Sequence, residues 1–143
     1  MVKVLATCLN LIALLGATQA AAILKARDPG PVDCRDDLGT SALGNAQDSV
    51  SCINQLAARG SDACNADQLA KTLCQQGNTA ITILNKQLNA GGTSDPGNVA
   101  LTCNDVAQAA GHIMDICTRG DGTVRGSTDA FVNSNVIVDI RAV

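Results

Sequence analysis

The sequence has few aromatic side chains: it contains no Trp and no Tyr, and Phe131 is the only Phe. Carbohydrate clefts and antibody-like binding hot spots depend on aromatic faces, so no carbohydrate site is evident. Glu is also missing, and all thirteen acidic residues are Asp. An Asp pair for glycoside hydrolysis is disfavoured, because chance pairs are common and no aromatic residue lines a subsite. A small core built from Val, Ile, Leu and Ala requires covalent cross-links.

Basic residues are too few for a nucleic-acid-binding surface. Residues 21–143 contain nine Lys and Arg against thirteen Asp, which gives a net charge of −4, and the basic residues form no stripe. A nucleic-acid partner is therefore excluded, because such a partner requires a basic surface that neutralises phosphates.

The N-terminal residues have the pattern of a secretory signal peptide. A basic start at Met1-Val2-Lys3 precedes the apolar run Val4 to Ala17, and Thr18-Gln19-Ala20 is a small-x-small cleavage site. The apolar run is shorter than the roughly 20 residues of a membrane span. We therefore expect a secreted, extracellular protein. Its predicted parts are a signal peptide at 1–20, a leader or short pro-segment at 21–33, and one cysteine-rich domain at 34–143.

Six cysteines remain after Cys8 leaves with the signal peptide. An even number in an oxidising compartment predicts three disulfides and leaves fifteen pairings open. Zinc-ligand spacing is missing, because no C-x-x-C pair occurs and His112 is the only His. We predict no metal and no cofactor. The predicted disulfide residues are Cys34, Cys52, Cys64, Cys74, Cys103 and Cys117.

The clearest helical pattern runs from Thr102 to Arg119. Apolar residues recur at helical spacing from Cys103 to Cys117, after a capping box that begins at Thr102 and before a stop at Arg119-Gly120. His112 falls opposite the apolar stripe, which favours a solvated surface His over a catalytic base. Since Ser-His and Cys-His catalysis then have no base, we predict a non-enzymatic protein with no catalytic residue.

The same helix restricts how its two cysteines can pair. Cys103 and Cys117 lie about 21 Å apart along it, which exceeds the Cα separation of a disulfide, so they cannot pair with each other. By element order, Cys52 and Cys34 are their nearest candidates.

A second helix is predicted from Asn45 to Arg59, where Gly60 ends it. Two runs, Leu69 to Gln75 and Thr79 to Asn85, flank Gly77-Asn78 and predict a hairpin. Near the C-terminus, period-two alternation from Val136 to Ala142 predicts a strand. Its expected partner is Thr123 to Phe131, with the turn at Asn133-Ser134 and Gly126 at a bulge or close backbone approach. The predicted class is α+β: a small disulfide-stapled sandwich with two helices on one face of an antiparallel sheet, in β-α-β-β-α-β-β order.

This order of elements and cysteines resembles small secreted fungal proteins, namely the killer-toxin-like and necrosis-inducing-factor-like effector group. The resemblance covers most of residues 31–141 and lies in four stretches. They are VDCRDDLGTSA, DSVSCINQLAARG, TLCQQGNTAITI and CNDVAQAAGHIMDICTRGDGTVRGSTDAFVNSNVIVDI. The resemblance implies an α/β sandwich that acts outside the producing cell on a host or competitor, and it implies no active residue.

Two functions follow as expectations. The first is a secreted, monomeric effector or toxin-like protein that binds an extracellular protein or membrane-protein target of a host or competitor. The alternative is an inhibitor of a host or competitor hydrolase, with the exposed loop Gly91 to Gly97 as its contact. Arg119-Gly120-Asp121 spells an adhesion tripeptide, but Gly after a helix-ending Arg already has a capping role.

Overall fold

The computed structural model describes residues 30–93, 95 and 99–143. The predicted signal peptide and residues 21–29 of the predicted leader lie outside the described residues. The strands are β1 Asp33–Cys34, β2 Gly44–Asn45, β3 Ala70–Gln76, β4 Thr79–Asn85, β5 Thr123–Val124, β6 Gly126–Ala130 and β7 Asn133–Ala142, and the helices are α1 Ala46–Arg59, α2 Lys86–Asn89 and α3 Cys103–Cys117, with a 3₁₀ turn at Thr40–Ala42.

Five strands form one antiparallel sheet in the order β1-β6-β7-β4-β3, and β2 pairs with β5 in a separate two-stranded ladder. Helix α1 packs on β3 and β4, helix α3 packs on β6 and β7, and the two helices contact each other. They therefore share one face of the sheet. The predicted α+β class is confirmed, and the β2–β5 ladder and α2 are additions to the predicted order.

The core lies between the helices and this face. In β4, Ile81 and Ile83 pair in register with Ile140 and Val138 of β7, and all four side chains are fully buried. Helix α3 supplies Ile113, also fully buried, to the other side of the core. Because side chains alternate along a strand, the residues between these point to the opposite face.

Both long helices begin at side-chain caps, of which the one at α3 was predicted. The Asn45 side chain accepts hydrogen bonds from the backbone N–H groups of Gln47 at 2.8 Å and Asp48 at 3.1 Å, and α1 ends at Gly60 with φ of +55°. At α3, Thr102 and Asp105 form the predicted capping box. The end of α3 differs from the prediction: Thr118 is its C-cap, in extended conformation, so Gly120 has no capping role.

Three disulfides are present, as predicted: two join a helix to a strand of the sheet, and one joins the loop before β3 to the start of α3. Their pairs are Cys34–Cys117, Cys52–Cys74 and Cys64–Cys103, with Cα separations of 5.3, 5.6 and 4.9 Å. Cys103 and Cys117 do not pair with each other, and Cys117 reaches Cys34 as expected. The suggested pairing of Cys103 with Cys52 is wrong. Cys52 bonds to Cys74 on the neighbouring strand β3, and Cys103 bonds to Cys64, whose backbone N–H donates to the Leu101 carbonyl just before α3.

The hairpin around Gly77-Asn78 is confirmed, with φ of +52° at Gly77. The C-terminal hairpin turns earlier than predicted, at Phe131 and Val132, because Asn133 is already the first residue of β7. The bulge lies between Asp129 and Ala130 rather than at Gly126. Gly126 is a close approach, since a Cβ there would lie 2.8 Å from Cys117 Sγ. Among the described residues, no helix has the length and apolar character needed to cross a membrane.

Candidate functional site

The face of the five-stranded sheet turned away from α1 and α3 is here called the outer face. Strand alternation and the observed registers assign its residues. It contains Asp33, Thr72, Ala80, Thr82, Leu84, Ser127, Asp129, Ile137, Asp139 and Arg141. Polar and charged side chains predominate, and Leu84 and Ile137 are half-buried among them. This face combines hydrogen-bonding groups with some apolar area, which suits a surface that contacts another protein.

A buried aspartate lies near one end of the outer face. Asp139 is only 7% exposed, and its Oδ2 lies 3.9 Å from Arg125 Nη2 and 3.7 Å from Arg141 Nε. Both distances exceed the usual hydrogen-bond length, so the pairing is Coulombic. Arg35 joins this end of the sheet, because its backbone N–H donates to the Arg125 carbonyl at 3.3 Å. We call Arg35, Arg125, Asp139 and Arg141 the arginine cluster.

Burial governs the electrostatics of this cluster. Desolvation raises the pKa of Asp139 above its ordinary value, and the charges of Arg125, Arg141 and Arg35 oppose that rise only in part. Arg125 Nε is buried and has no hydrogen-bond partner among the described residues. Arg35 differs, because Asp37 accepts two hydrogen bonds from its guanidinium at 3.1 and 3.2 Å.

A shallow recess of about 160 Å³ continues the outer face beside the cluster. Lys86 crosses it and forms an ion pair with Asp129, with Nζ 2.6 Å from Oδ1. Asp33 and Ser127 also line it. A recess of this size is below the roughly 300–1,000 Å³ of sites that enclose small molecules, so it fits a protruding side chain better than a buried substrate. A second recess of about 240 Å³ lies at the turn between β6 and β7.

His112 is placed differently from its predicted position. It is half-buried rather than solvated, and its ring meets the edge of Phe131 at a centroid distance of 5.6 Å. In the described part of the chain, the side chain of His112 makes this ring contact, and no acidic or hydroxyl side chain forms a hydrogen bond that would orient its imidazole. The position of His112 is thus explained by packing on the single Phe.

The adhesion tripeptide is held within the fold. Arg119 Nη2 lies 3.2 Å from Asp36 Oδ1 and donates to the Arg35 carbonyl at 3.3 Å. Asp121 accepts from the Thr123 N–H at 3.0 Å and from its hydroxyl at 2.6 Å, which lowers the pKa of Asp121. Both charged residues of this tripeptide therefore have partners within the fold: Arg119 contacts the segment after β1, and Asp121 contacts Thr123.

The loop suggested for an inhibitor lies partly outside the described residues, which omit 94 and 96–98. Gly91 is exposed with φ of +78°, and Gln87 Oε1 accepts a hydrogen bond from Asp95 N–H at 3.4 Å. The hydrogen bond between Asp95 and Gln87 holds this part of the loop against α2.

The fold and the outer face define a small cysteine-rich α+β domain with a charged sheet face, of which Ala80, Thr82 and Asp139 are buried. The chain belongs to the family described as domain of unknown function DUF8794, whose model matches residues 30–142. No curated protein and no solved structure matches the chain.

No residue of the arginine cluster was predicted as a site residue from the sequence, although the alternation in β7 indicated that two of them share a face. Asp139 and Arg141 alternate with buried Val138 and Ile140, which is the local signal for their common face. Arg125 and Arg35 reach the same place through strand pairings between distant segments, and no local pattern encodes these pairings.

Proposed function

We propose that this protein is a secreted, non-enzymatic interaction protein, an effector or toxin-like molecule of fungal type. As a monomer, it binds an extracellular protein or membrane-protein target of a host or competitor. The observation that carries the proposal is the outer face: a sheet surface on a cross-linked scaffold, mainly polar and charged with a smaller apolar part, beside a recess suited to a side chain. Such a surface recognises a partner by shape and charge.

Three features support this assignment. Three disulfides in so small a domain are typical of exported proteins, because reducing compartments keep thiols reduced. The signal-peptide pattern at residues 1–20 agrees with export. His112 packs against Phe131, which gives the only imidazole a structural role.

The test is a bioassay with the oxidised protein starting at residue 21, infiltrated into host tissue or added to competing fungi. We expect a response at low protein concentration, and none from the same protein after reduction and alkylation. In parallel, the protein is incubated with extracellular proteases and glycosidases. Inhibition of a hydrolase without a tissue response would replace the proposal with the inhibitor function. Turnover of a substrate would replace it with an enzymatic function.

A further inference from the structure

The arginine cluster contains two like charges at neighbouring positions. The β6–β7 register pairs Gly126 with Ile140 and Ser127 with Asp139, so its continuation places Arg125 opposite Arg141. Both guanidinium groups lie within 4 Å of the same Asp139 oxygen. Like charges directly opposite each other on a sheet are destabilising unless an anion separates them. Asp139 is the anion that the chain itself supplies.

Asp139 satisfies this pair incompletely. Neither guanidinium comes within 3.5 Å of its carboxylate, and the Arg125 Nε donor is buried without a partner among the described residues. Arg35 does not share this deficit, because Asp37 already pairs with it. Two guanidinium groups thus face one distant carboxylate. The buried Arg125 Nε shows that the pairing is incomplete, and the partly exposed side chains of Arg141 (35%) and Arg125 (18%) keep donors that an external oxygen acceptor can reach.

We propose that Arg125 and Arg141 form a binding site for a carboxylate side chain of an acidic segment on the protein partner. The planar guanidinium fork matches a carboxylate with two parallel hydrogen bonds, which is why Arg is preferred at such contacts. This inference rests on the proposed function, since it names the chemistry by which the partner is recognised.

The surroundings of the pair select an isolated carboxylate over a polyanion. Asp33, Asp37 and Asp129 are exposed or half-exposed near the cluster, and the whole chain carries a net charge of −3. A polyphosphate or sulfated chain would meet this acidic rim with repeated like charges. One or two carboxylates on a protein surface avoid that repulsion, and the same surface can pack on Leu84 and Ile137.

The experiment titrates the ¹⁵N-labelled, oxidised protein with a capped peptide that contains two aspartates among glycine and serine residues. The control peptide has asparagine at both positions. We expect the Nε–H signals of Arg125 and Arg141 to shift with the aspartate peptide, while the Arg59 signal stays in place. Arg59 is a suitable internal control because it lies on α1, on the other side of the sheet.

Four variants test the site: two should weaken binding, one should strengthen it, and one is a control with the same change of charge. Arg141→Gln should weaken peptide binding about tenfold, because it removes a charge-assisted contact. Arg59→Gln makes the same charge change elsewhere and should leave affinity within about twofold. Asp139→Asn should strengthen binding several-fold, since it removes the competing anion. Arg125→Gln is added to repeat the Arg141 result at the second arginine, and melting curves verify that each variant is folded.

Several results would overturn the inference: no shift of the Arg125 and Arg141 signals, equal affinity of both peptides, or unchanged binding by Arg141→Gln. Tighter binding of inorganic phosphate or heparin than of the aspartate peptide would also overturn it, in favour of a phosphate or sulfate site. The titration needs no natural target, so it is independent of the bioassay. If the protein is active in the bioassay and Arg141→Gln is equally active, only the inference is contradicted. If the protein binds the peptide but has no activity in the bioassay, only the proposed function is contradicted.

Discussion

At the scale of single residues, Gly126 is where α3 comes closest to the sheet. A Cβ at this position would lie 2.8 Å from Cys117 Sγ and 2.9 Å from Ile113 Cγ2. Gly126→Ala should therefore reduce the free energy of unfolding by about 1–3 kcal/mol through overpacking. Gly111→Ala is the matched control, because the same methyl enters open space within α3 and should add about 0.5–1 kcal/mol. Urea unfolding of both variants checks the prediction, and a loss of stability in both would contradict it.

Asp139 gives a prediction for pH dependence. Its pKa in the folded protein is raised, chiefly by burial, so the folded state binds more protons than the unfolded state above pH 3.8. The contribution of Asp139 to stability therefore falls as pH rises from 3.8 through the raised pKa. Asp139→Asn does not titrate and keeps the side-chain size. We expect the difference in melting temperature, Asp139→Asn minus wild type, to increase from pH 3 to pH 7.

Comparison of the two proteins isolates Asp139 from other titrating groups. Asp37, Asp67 and Asp121 have lowered pKa values because of hydrogen bonds, so they favour the folded state at higher pH. These groups are present in both proteins and cancel in the difference. A constant difference in melting temperature from pH 3 to pH 7 would contradict the assignment.

The contact between His112 and Phe131 is tested by His112→Ala. The variant loses an edge-on aromatic contact, so the free energy of unfolding should decrease by about 1 kcal/mol. Gln108→Ala, at an exposed position on the same helix, should change it by no more than about 0.5 kcal/mol. Biological activity should survive His112→Ala under conditions where the protein is folded. Loss of activity with unchanged melting would reopen a catalytic role.

At the scale of elements, α3 is cross-linked at both ends: Cys103 bonds to the segment before β3, and Cys117 bonds to β1. Disulfides stabilise more when they close longer loops in the unfolded chain. Removal of Cys34–Cys117, which spans 83 residues, should cost about 4.5 kcal/mol, against about 3.4 kcal/mol for Cys52–Cys74, which spans 22. Each of these two disulfides has one buried and one half-buried cysteine, so the two double Cys→Ala variants remove similarly buried side chains and can be compared. Denaturant midpoints in the reverse order would contradict this.

Elements with a strong local pattern were predictable from the sequence. The stripe and capping box of α3, the Asn45 start of α1 and the Gly77-Asn78 turn depend on residues within one or two turns of each other. The end of the last hairpin was misplaced because Asn133 and Ser134 have turn-like composition. In the structure, Asn133 Oδ1 accepts from the Asn135 N–H at 3.0 Å within the start of β7. An Asx-type contact of this kind serves a strand end as well as a turn.

Long-range features were not predictable from local patterns. The β2–β5 ladder joins two strands of two residues each, which are too short for any periodicity. The position of β7 at the centre of the sheet follows from its pairing with both β4 and β6. Arg125 meets Asp139 and Arg141 only because β6 pairs with β7, so the complete candidate site could be found only from the folded chain.

At the scale of the whole molecule, charge and cross-links serve different purposes. The net charge of −3 on the whole chain opposes close approach between copies, while the outer face places arginines at one end of the sheet. Recognition at that end should weaken with added salt, because exposed charges are screened within a Debye length of about 10 Å at 0.1 M. Binding to the natural target, measured at low and high salt, checks this expectation. Salt-independent binding would point to the apolar part of the face instead.

The disulfide that spans the most residues determines what a single proteolytic cleavage does to the protein. Cys34–Cys117 encloses the other two bonds, so a single peptide cleavage anywhere between these cysteines leaves both pieces covalently joined. A nicked molecule would keep its mass plus one water and would separate into two peptides only on a reducing gel. The C-terminal hairpin lies beyond Cys117 and has no such tether, although β7 occupies the middle of the sheet. Any cleavage between Cys117 and the start of β7 would thus leave the strand that carries Asp139 and Arg141 with no covalent link to the rest of the chain.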